Sequence, residues 1–180
     1  MRSRVVMFIL ATMMLFARPS SAQETGQVGL TMAFPAAVGV IWHATDGLAI
    51  RPDFTFSEAS STGTALTSST ASVGVGVSAL FYVRKWDNLR AYLSPRFGYQ
   101  WSSFTFQGSS PPSGSTNTYS GSGSFGAEYL LHRRFAVFAE TGLVYSHAGT
   151  DGATLTPGFS LASSAHTWGL RGGVGAILYF

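Results

Sequence analysis

Histidine, serine and carboxylate side chains are the groups of this chain that could act as acids, bases, nucleophiles or metal ligands. The four histidines are His43, His132, His147 and His166. His43 and His132 adjoin predicted tight turns, where a side chain is expected to be solvated. No two histidines have ligand spacing on one face together with a carboxylate, and Asp151 stands in an isolated turn without further acids. The sequence therefore predicts no catalytic residue, no cofactor and no metal site.

Seven charged residues form a second constellation, because all of them fall on the same face of strongly alternating segments. They are Arg51, Asp53, Arg90, Arg96, Glu128, Glu140 and Arg171. Their neighbours on that face are small or polar, chiefly Gly and Ser, whereas the opposite face carries Val, Leu, Phe, Tyr and Trp without a charge. The arginines and acids can nearly neutralise one another, and charges that are buried together must pair.

The segments that carry these charges alternate with a period of two, which predicts β-strands. Six strands are predicted in this way, over residues 48–57, 72–84, 89–101, 124–131, 135–145 and 167–180. The segment Gln27–His43 could be one long strand or two short ones. Pro35 favours two, Val28–Phe34 and Val38–His43, because proline cannot donate a ladder hydrogen bond in mid-sheet. The count is then eight.

The connections between these strands are predicted to alternate in length. The tight ones are Ala44–Gly47, Lys85–Asn88 and His132–Arg133. The long ones, rich in Ser, Thr, Gly and Pro, are Glu58–Thr70, Gln107–Tyr119 and Ala148–Ala162. Short turns on one side and long loops on the other are typical of transmembrane barrels. Pro35-Ala36-Ala37 departs from the pattern as a short connection on the long-loop side.

The predicted fold is all-β: a closed, antiparallel, up-and-down transmembrane barrel of eight strands. Open sheet edges are not tolerated in hydrocarbon, so the sheet must close. The alternative is a water-soluble lipocalin-like or streptavidin-like barrel with its apolar face inward. Such a barrel would need many more charges on its solvated face than a chain with 11% charged residues supplies. The apolar face is therefore predicted to meet lipid.

The seven charges are then predicted to lie in the lumen. They could form a structural plug of ion pairs, or a polar conduit in which a switch of partners opens a path for small ions. An eight-stranded barrel is just wide enough for side chains to fill it, which favours the plug.

Aromatic residues near the predicted strand ends are expected to form girdles at the two membrane interfaces, with ordinary barrel packing as the alternative. They are Trp42, Tyr82, Trp86, Tyr99, Trp101, Tyr119, Tyr145, Trp168 and Tyr179. Gly172, Gly173 and Gly175 have strand spacing rather than the setting of a nucleotide-binding loop, and are expected to admit tight packing inside the barrel.

The first 22 residues are predicted to be a cleaved secretory signal peptide, which leaves residues 23–180 as one barrel domain. Arg2 and Arg4 form a basic start, Val5–Ala17 is apolar, and Ser20-Ser21-Ala22 is a small-residue cleavage site. The apolar run of about 13 residues is too short for a spanning helix, which needs roughly 20.

Composition excludes several classes of partner. Of the 11 Lys and Arg residues, three lie in the signal segment, which leaves 8 against 8 Asp and Glu. A neutral mature chain without a basic cluster is not expected to bind nucleic acid. The absence of Cys excludes disulfides and thiolate metal centres.

The last strand, Thr167–Phe180, alternates strictly and ends on an aromatic residue. It resembles the terminal strand of bacterial outer-membrane barrels. The chain as a whole is similar to small eight-stranded barrels of the OmpA transmembrane-domain and OmpX type, over nearly all of residues 23–180. The outward-facing residues that carry this resemblance are Trp168, Leu170, Val174, Leu178 and Phe180.

The resemblance implies that these five residues form an insertion signal read by the barrel-insertion machinery, and that periplasmic chaperones escort the chain. It also implies a monomer in the lipid of the cell outer membrane. If Phe180 and Trp168 face lipid, Arg171 must face inward, where Asp53, Glu128 and Glu140 are its candidate partners.

Fold resemblance indicates a class of function rather than an activity. The first hypothesis is a non-enzymatic barrel with a structural or surface-interaction role through its outer loops, and the alternative is a small ion-conducting pore. A third, least favoured hypothesis is an enzyme, because Tyr145–Gly149 faintly resembles the histidine segment of outer-membrane lipid A deacylases. That family has its serine two residues after the histidine, where this chain has Gly149. Ser146 precedes His147 instead and points to the opposite face of a strand.

Overall fold

The computed structural model describes residues 25–35, 37–62, 67–107, 113–156 and 159–180. Eight strands close into one barrel in sequence order, each antiparallel to its neighbours, with β8 paired to β1. They are β1 (Val28–Phe34), β2 (Ala37–Thr45), β3 (Leu48–Thr62), β4 (Thr67–Lys85), β5 (Leu89–Gln107), β6 (Ser113–His132), β7 (Phe135–Thr156) and β8 (Phe159–Tyr179). The predicted all-β, eight-stranded closed barrel is confirmed.

Within the described residues, no helix is long and apolar enough to cross a membrane. The predicted signal peptide, residues 1–22, lies outside the described residues.

Strand alternation separates an apolar outer face from a lumenal face, as the sequence predicts. On β2, for example, Val38, Val40 and Trp42 are exposed on the outside, while Ile41 and His43 are completely buried in the lumen. The same parity holds on β8, where Leu170 and Val174 are exposed and Ile177 is buried.

The pairing register fixes the tilt of the strands. Starting at Ala176 on β8, partner residues lead through Met32, Val38, Phe54, Val75, Tyr99, Tyr119 and His147 back to β8 at His166. The path returns ten residues away from its start, since 176 − 166 = 10. A stagger of that size around eight strands corresponds to a tilt of about 40° from the barrel axis.

The two ends of the barrel differ. The turns at residues 46–47, 86–88 and 133–134 lie at the same end as both termini of the described chain, here called the turn end. The three tight connections of the sequence prediction all lie there. The opposite end, here called the long end, carries the connections after β1, β3, β5 and β7.

The three predicted long loops were wrong, because the strands continue through most of them. The ladder of β3 and β4 runs on to Thr62 and Thr67, and that of β7 and β8 runs on to Thr156 and Phe159. Threonine favours extended backbone, and an antiparallel ladder satisfies the main-chain hydrogen bonds without needing an apolar face. Alternation of apolar and polar residues cannot detect a strand that is polar on both faces.

The first two strands form a short hairpin around Pro35, so the two-strand interpretation of residues 27–43 is confirmed. β1 pairs with β8 only from Gly29 to Phe34, where Phe34 lies opposite Val174. β2 pairs with β3 only up to Val38, opposite Phe54. Beyond these points β3 and β8 continue towards the long end, and no ladder joins them within the described residues.

Candidate functional site

The seven predicted charges all project from lumenal positions of their strands. Arg51, Arg90, Glu128 and Glu140 are buried, with at most 8% of each residue exposed. Asp53, Arg96 and Arg171 are partly buried. Because Arg51 precedes Asp53 on β3 and Arg90 precedes Arg96 on β5, the charges occupy successive levels from the turn end towards the long end.

The level nearest the turn end is built around Glu128, which is 0% exposed. Tyr179 Oη donates to Glu128 Oε1 at 2.8 Å, and Tyr82 Oη donates to Glu128 Oε2 at 2.9 Å. Arg90 Nη1 lies 3.7 Å from Glu128 Oε1. The carboxylate is therefore held by two phenols and one guanidinium.

His43 belongs to this level, and its predicted solvated position beside a turn was wrong. Its ring is 0% exposed, stacks on Tyr82 with centroids 5.7 Å apart, and has Nε2 3.2 Å from Tyr179 Oη. His43 lies two residues after the lumenal Ile41, so strand parity carries it inward. That parity was the signal in the sequence that could have placed it correctly.

Tyr82 and Tyr179 were wrongly assigned to the interfacial girdles. They are 5% and 1% exposed and point into the lumen. The outer-face aromatics Trp42, Trp86, Trp101, Tyr119 and Trp168 are instead 43–74% exposed. For the two tyrosines, nearness to a strand end was a poorer guide than the face on which they stand.

The next level joins Arg51 to Glu140. Arg51 Nη2 donates to Glu140 Oε1, and Tyr92 Oη donates to the same oxygen at 2.9 Å. The Arg51 guanidinium lies over the Phe138 ring, 4.9 Å from its centroid. A Cβ on Gly175 would stand 2.5 Å from Phe138 Cζ and 2.4 Å from the Met32 carbonyl oxygen, so only glycine fits beside this ring.

The third level is the pair of Arg96 and Asp53. Arg96 donates from Nε to Asp53 Oδ2 at 3.0 Å and from Nη2 to Oδ1 at 2.5 Å, in the bidentate arrangement that fixes both planes. The guanidinium lies against β4 and β5 because Gly76 and Gly98 present no side chain there; a Cβ on Gly76 would be 2.0 Å from Arg96 Nη2.

Arg171 occupies the last level, nearest the long end. Its Nη1 is 3.4 Å from Ser122 Oγ. Within the described residues it forms no ion pair with its three candidate partners Asp53, Glu128 and Glu140, each of which is paired to another arginine. Gly172 and Gly173 next to it are loosely surrounded, since the nearest atoms to an added Cβ are 3.8 Å and 3.5 Å away. The tight packing expected of these glycines holds for Gly175 alone.

A cavity of about 420 Å³ lies beside these outer levels. Its polar lining includes Arg51, Asp53, Thr55, Arg96, Glu140 and Arg171. Its apolar lining includes Phe34, Pro35, Phe138 and Leu170. Towards the turn end, the lumen is filled by a cluster of buried residues that includes Leu80, Tyr82, Tyr92 and Phe138.

His147 and His166 lie together on the outer face beside Tyr145. His147 Nδ1 and His166 Nδ1 are 3.2 Å apart on the outer face, and Tyr145 Oη is 2.7 Å from His166 Nδ1. Ser146 Oγ takes no part in these contacts, as strand parity predicts. In the described part of the chain, no three His, Cys, Asp or Glu side chains gather as metal ligands would.

The five residues of the proposed insertion signal all lie on the outer face of β8 or at its end. Trp168, Leu170 and Phe180 are the most exposed of them, at 74%, 85% and 75%. Their recognition during insertion stays a prediction.

No protein-family model matches the sequence, and no curated protein matches it. Solved structures do match. A major outer membrane protein from Thermus thermophilus has 10% sequence identity and a TM-score of 0.57, and the match covers 86% of this chain and 98% of that one. CarO from Acinetobacter baumannii, at 10% identity, has a TM-score of 0.45 with coverage of 89% and 100%.

Ail, the attachment invasion locus protein of Yersinia pestis, has 11% identity, a TM-score of 0.44 and coverage of 86% and 94%. The likeness to the Thermus protein extends over almost the whole of that chain, and identities this low show the fold alone. The chain therefore has the fold of a small eight-stranded outer-membrane β-barrel.

Proposed function

We propose that this chain is a non-enzymatic integral protein of the cell outer membrane, exported with a cleaved signal peptide. The observation that carries the membrane assignment is the outer face, which is apolar around the ring. Its exposed residues include Met32, Phe54, Val77, Phe97, Phe125, Leu143 and Val174. Exposed apolar surface of this extent is unfavourable in water and expected in lipid. The turn end then faces the periplasm and the long end faces outward.

The lumen supports a structural role rather than bulk transport. Three levels of ion pairs and a packed apolar cluster occupy it, and the buried carboxylates of Glu128 and Glu140 accept hydrogen bonds from tyrosines. Separating such pairs without new partners is costly, so we expect the path through the barrel to stay closed.

The outward extension of the strands supports a role in surface interaction. β3 to β8 continue past the hairpin as a curved sheet rich in Ser and Thr, with cross-strand contacts such as Ser72 Oγ to Ser102 Oγ at 2.8 Å and Thr116 Oγ1 to Thr150 Oγ1 at 3.0 Å. The strands β3 and β8 end this sheet with unpaired edges within the described residues. Such edges can pair with an extended segment of another protein.

The test is to shorten the β5–β6 and β7–β8 parts of this extension, which truncates the outward edge of β8, without touching the barrel. Residues 103–115 are replaced by Asn-Gly, which joins the paired residues Ser102 and Thr116. Residues 151–162 are replaced likewise, between Thr150 and Ser163. We expect cells that carry the full-length protein to aggregate and to attach to glass, and cells that carry the shortened protein to do so far less.

The matched control is Asp46→Asn, which creates the same Asn-Gly turn at the opposite end of the barrel and should leave cell attachment unchanged. Heat-modifiable gel migration reports equal insertion of all variants. Equal attachment by wild type and shortened protein, at equal surface amounts, would contradict the surface-interaction role.

A further inference from the structure

The short β1–β2 hairpin leaves a gap in the barrel wall. Above Phe34 and Val38, the edge of β3 from Thr55 onwards and the edge of β8 from Gly173 back to Leu170 face each other without a ladder between them. Leu170 is 85% exposed, more than any other large apolar residue among the described side chains of the outer face. A missing neighbouring strand accounts for that exposure.

The register places this gap at membrane depth. At a tilt of about 40°, each residue adds about 2.5 Å along the barrel axis and each step between strands about 3 Å. Measured along the barrel axis, Pro35 then lies roughly 20 Å from Phe180. It is therefore inside the apolar band of such barrels, which is about 25 Å tall. It is roughly 5–10 Å deeper than the outer aromatic ring of Tyr99, Trp101, Tyr119, Tyr145 and Trp168.

Backbone groups at such a depth need partners. A peptide N–H or C=O exposed to hydrocarbon is strongly unfavourable, and irregular backbone is tolerated only where it lines a polar cavity. The gap meets this condition, because the 420 Å³ cavity reaches it. The hairpin below the gap contributes Phe34 and Pro35 to the cavity lining, and the β8 edge of the gap contributes Leu170, Gly172 and Gly173.

The charged residues around the cavity determine whether it favours an anionic or a cationic ligand. Arg51 and Arg96 are paired with Glu140 and Asp53, respectively. Arg171 has only the hydroxyl of Ser122 as hydrogen-bond partner within the described residues, at 3.4 Å. The lining therefore has one more cation than anions, and the extra cation stands next to Gly172 and Gly173 at the gap.

We propose that the cavity and the gap together form a binding site for a single-chain anionic amphiphile. The carboxylate or phosphate of the ligand binds Arg171, and its chain leaves through the gap between Phe34 and Leu170 into the outer leaflet. The site rests on the membrane orientation of the proposed function, but not on the surface-interaction role.

The test measures binding of dodecanoate to the protein in lipid nanodiscs by equilibrium dialysis, with empty nanodiscs as the blank. Dodecyl phosphate, dodecanol and dodecylammonium serve as competitors of equal chain length. We expect saturable binding at one site, displaced by dodecyl phosphate and at least ten times more weakly by the neutral and cationic chains. A parallel arm places anionic lysophosphatidylglycerol in the bilayer; saturation in that arm identifies a lipid source, and saturation by dodecanoate alone identifies a free acid.

Two variants locate the site. Arg171→Gln should weaken dodecanoate binding at least tenfold by removing the cation. Gly173→Phe should abolish binding by filling the gap, and its Cβ would stand 3.5 Å from the nearest atom, the Phe34 carbonyl oxygen, so the substitution begins without a clash.

Matched controls separate these effects from general damage. Gly123→Phe adds the same ring on β6, where an added Cβ has nothing within 4 Å, and Arg134→Gln removes an exposed arginine at the turn end. Both should bind like wild type, with heat-modifiable migration as the check on folding. The site would be overturned if neither dodecanoate nor lysophosphatidylglycerol bound saturably. It would also be overturned if the binding were saturable but independent of head-group charge and unchanged in both Arg171→Gln and Gly173→Phe.

Discussion

Some single side chains in the lumen each make several hydrogen bonds and ion pairs, and Glu128 is the clearest case. It is completely buried, accepts hydrogen bonds from two tyrosines and lies within ion-pair distance of Arg90. Strand parity alone predicted that it faces the lumen. Its partners could not be predicted, because the stagger of the strands decides which residues stand at the same level, and the stagger is a property of the closed ring.

Glu128→Gln should destabilise the barrel by on the order of 3 kcal/mol, because it leaves the Arg90 charge buried without its carboxylate. Urea unfolding of the protein in detergent micelles, followed by tryptophan fluorescence, measures the change. Glu58→Gln, at an exposed position on β3, is the control and should change stability little. Equal midpoints for both variants would mean that the Glu128 level contributes no net stability.

Gly175→Ala should also destabilise the barrel, by about 1–3 kcal/mol, because the added methyl overlaps the Phe138 ring and the Met32 carbonyl oxygen. Gly121→Ala is the matched control, since an added Cβ there has nothing within 4 Å. Unfolding midpoints that shift equally for the two variants would show that the ring and the backbone relax without cost.

At the scale of strands, the sequence predicts those parts of a strand that have one apolar face. It does not predict the parts in which neither face is apolar. Alternation predicts the membrane-level parts of β3 to β8, whereas it predicts loops over their outward parts, such as Glu58–Thr62. Those segments carry polar residues on both faces, so nothing in their periodicity marks them as strands. The hairpin was found through Pro35, a backbone constraint that the sequence states directly.

The terminal strand offers a test at this scale. Phe180→Ser should lower the amount of folded protein in the outer membrane several-fold if this end of β8 is read during insertion. Phe125→Ser removes an aromatic ring that is also exposed on the outer face, on β6, and serves as the control. Folded protein is quantified in the membrane fraction by heat-modifiable migration, and equal amounts for the two variants would count against a terminal signal.

For the whole molecule, closure of the lumen decides between a plug and a pore. The rings of Tyr92 and Phe138 lie between the Glu128 level and the cavity, and both are buried. The seven lumenal charges were predicted to favour a plug, and the pairing of six of them supports that proposal. The side-chain cavity above them could not be anticipated, because it depends on where the hairpin ends relative to its neighbours.

Wild-type protein in planar bilayers should therefore show no discrete conductance steps. The double variant Tyr92→Ala and Phe138→Ala should show them, because it removes two of the largest buried rings between the cavity and the turn end. Phe97→Ala, on the outer face, is the control and should stay silent. Steady conductance by the wild type that disappears on Glu140→Arg would instead support the pore.

The same short hairpin has a mechanical consequence. The β1–β8 ladder, which closes the ring, spans only Gly29 to Phe34 on β1. The β7–β8 ladder, in contrast, extends from Phe135 to Thr156 on β7. Regions with fewer main-chain bonds open at lower free energy than the rest of a protein. We therefore expect the β1–β2 hairpin to dock last when the barrel closes. We also expect it to detach first when the barrel opens, which leaves a curved sheet of the six longer strands β3 to β8.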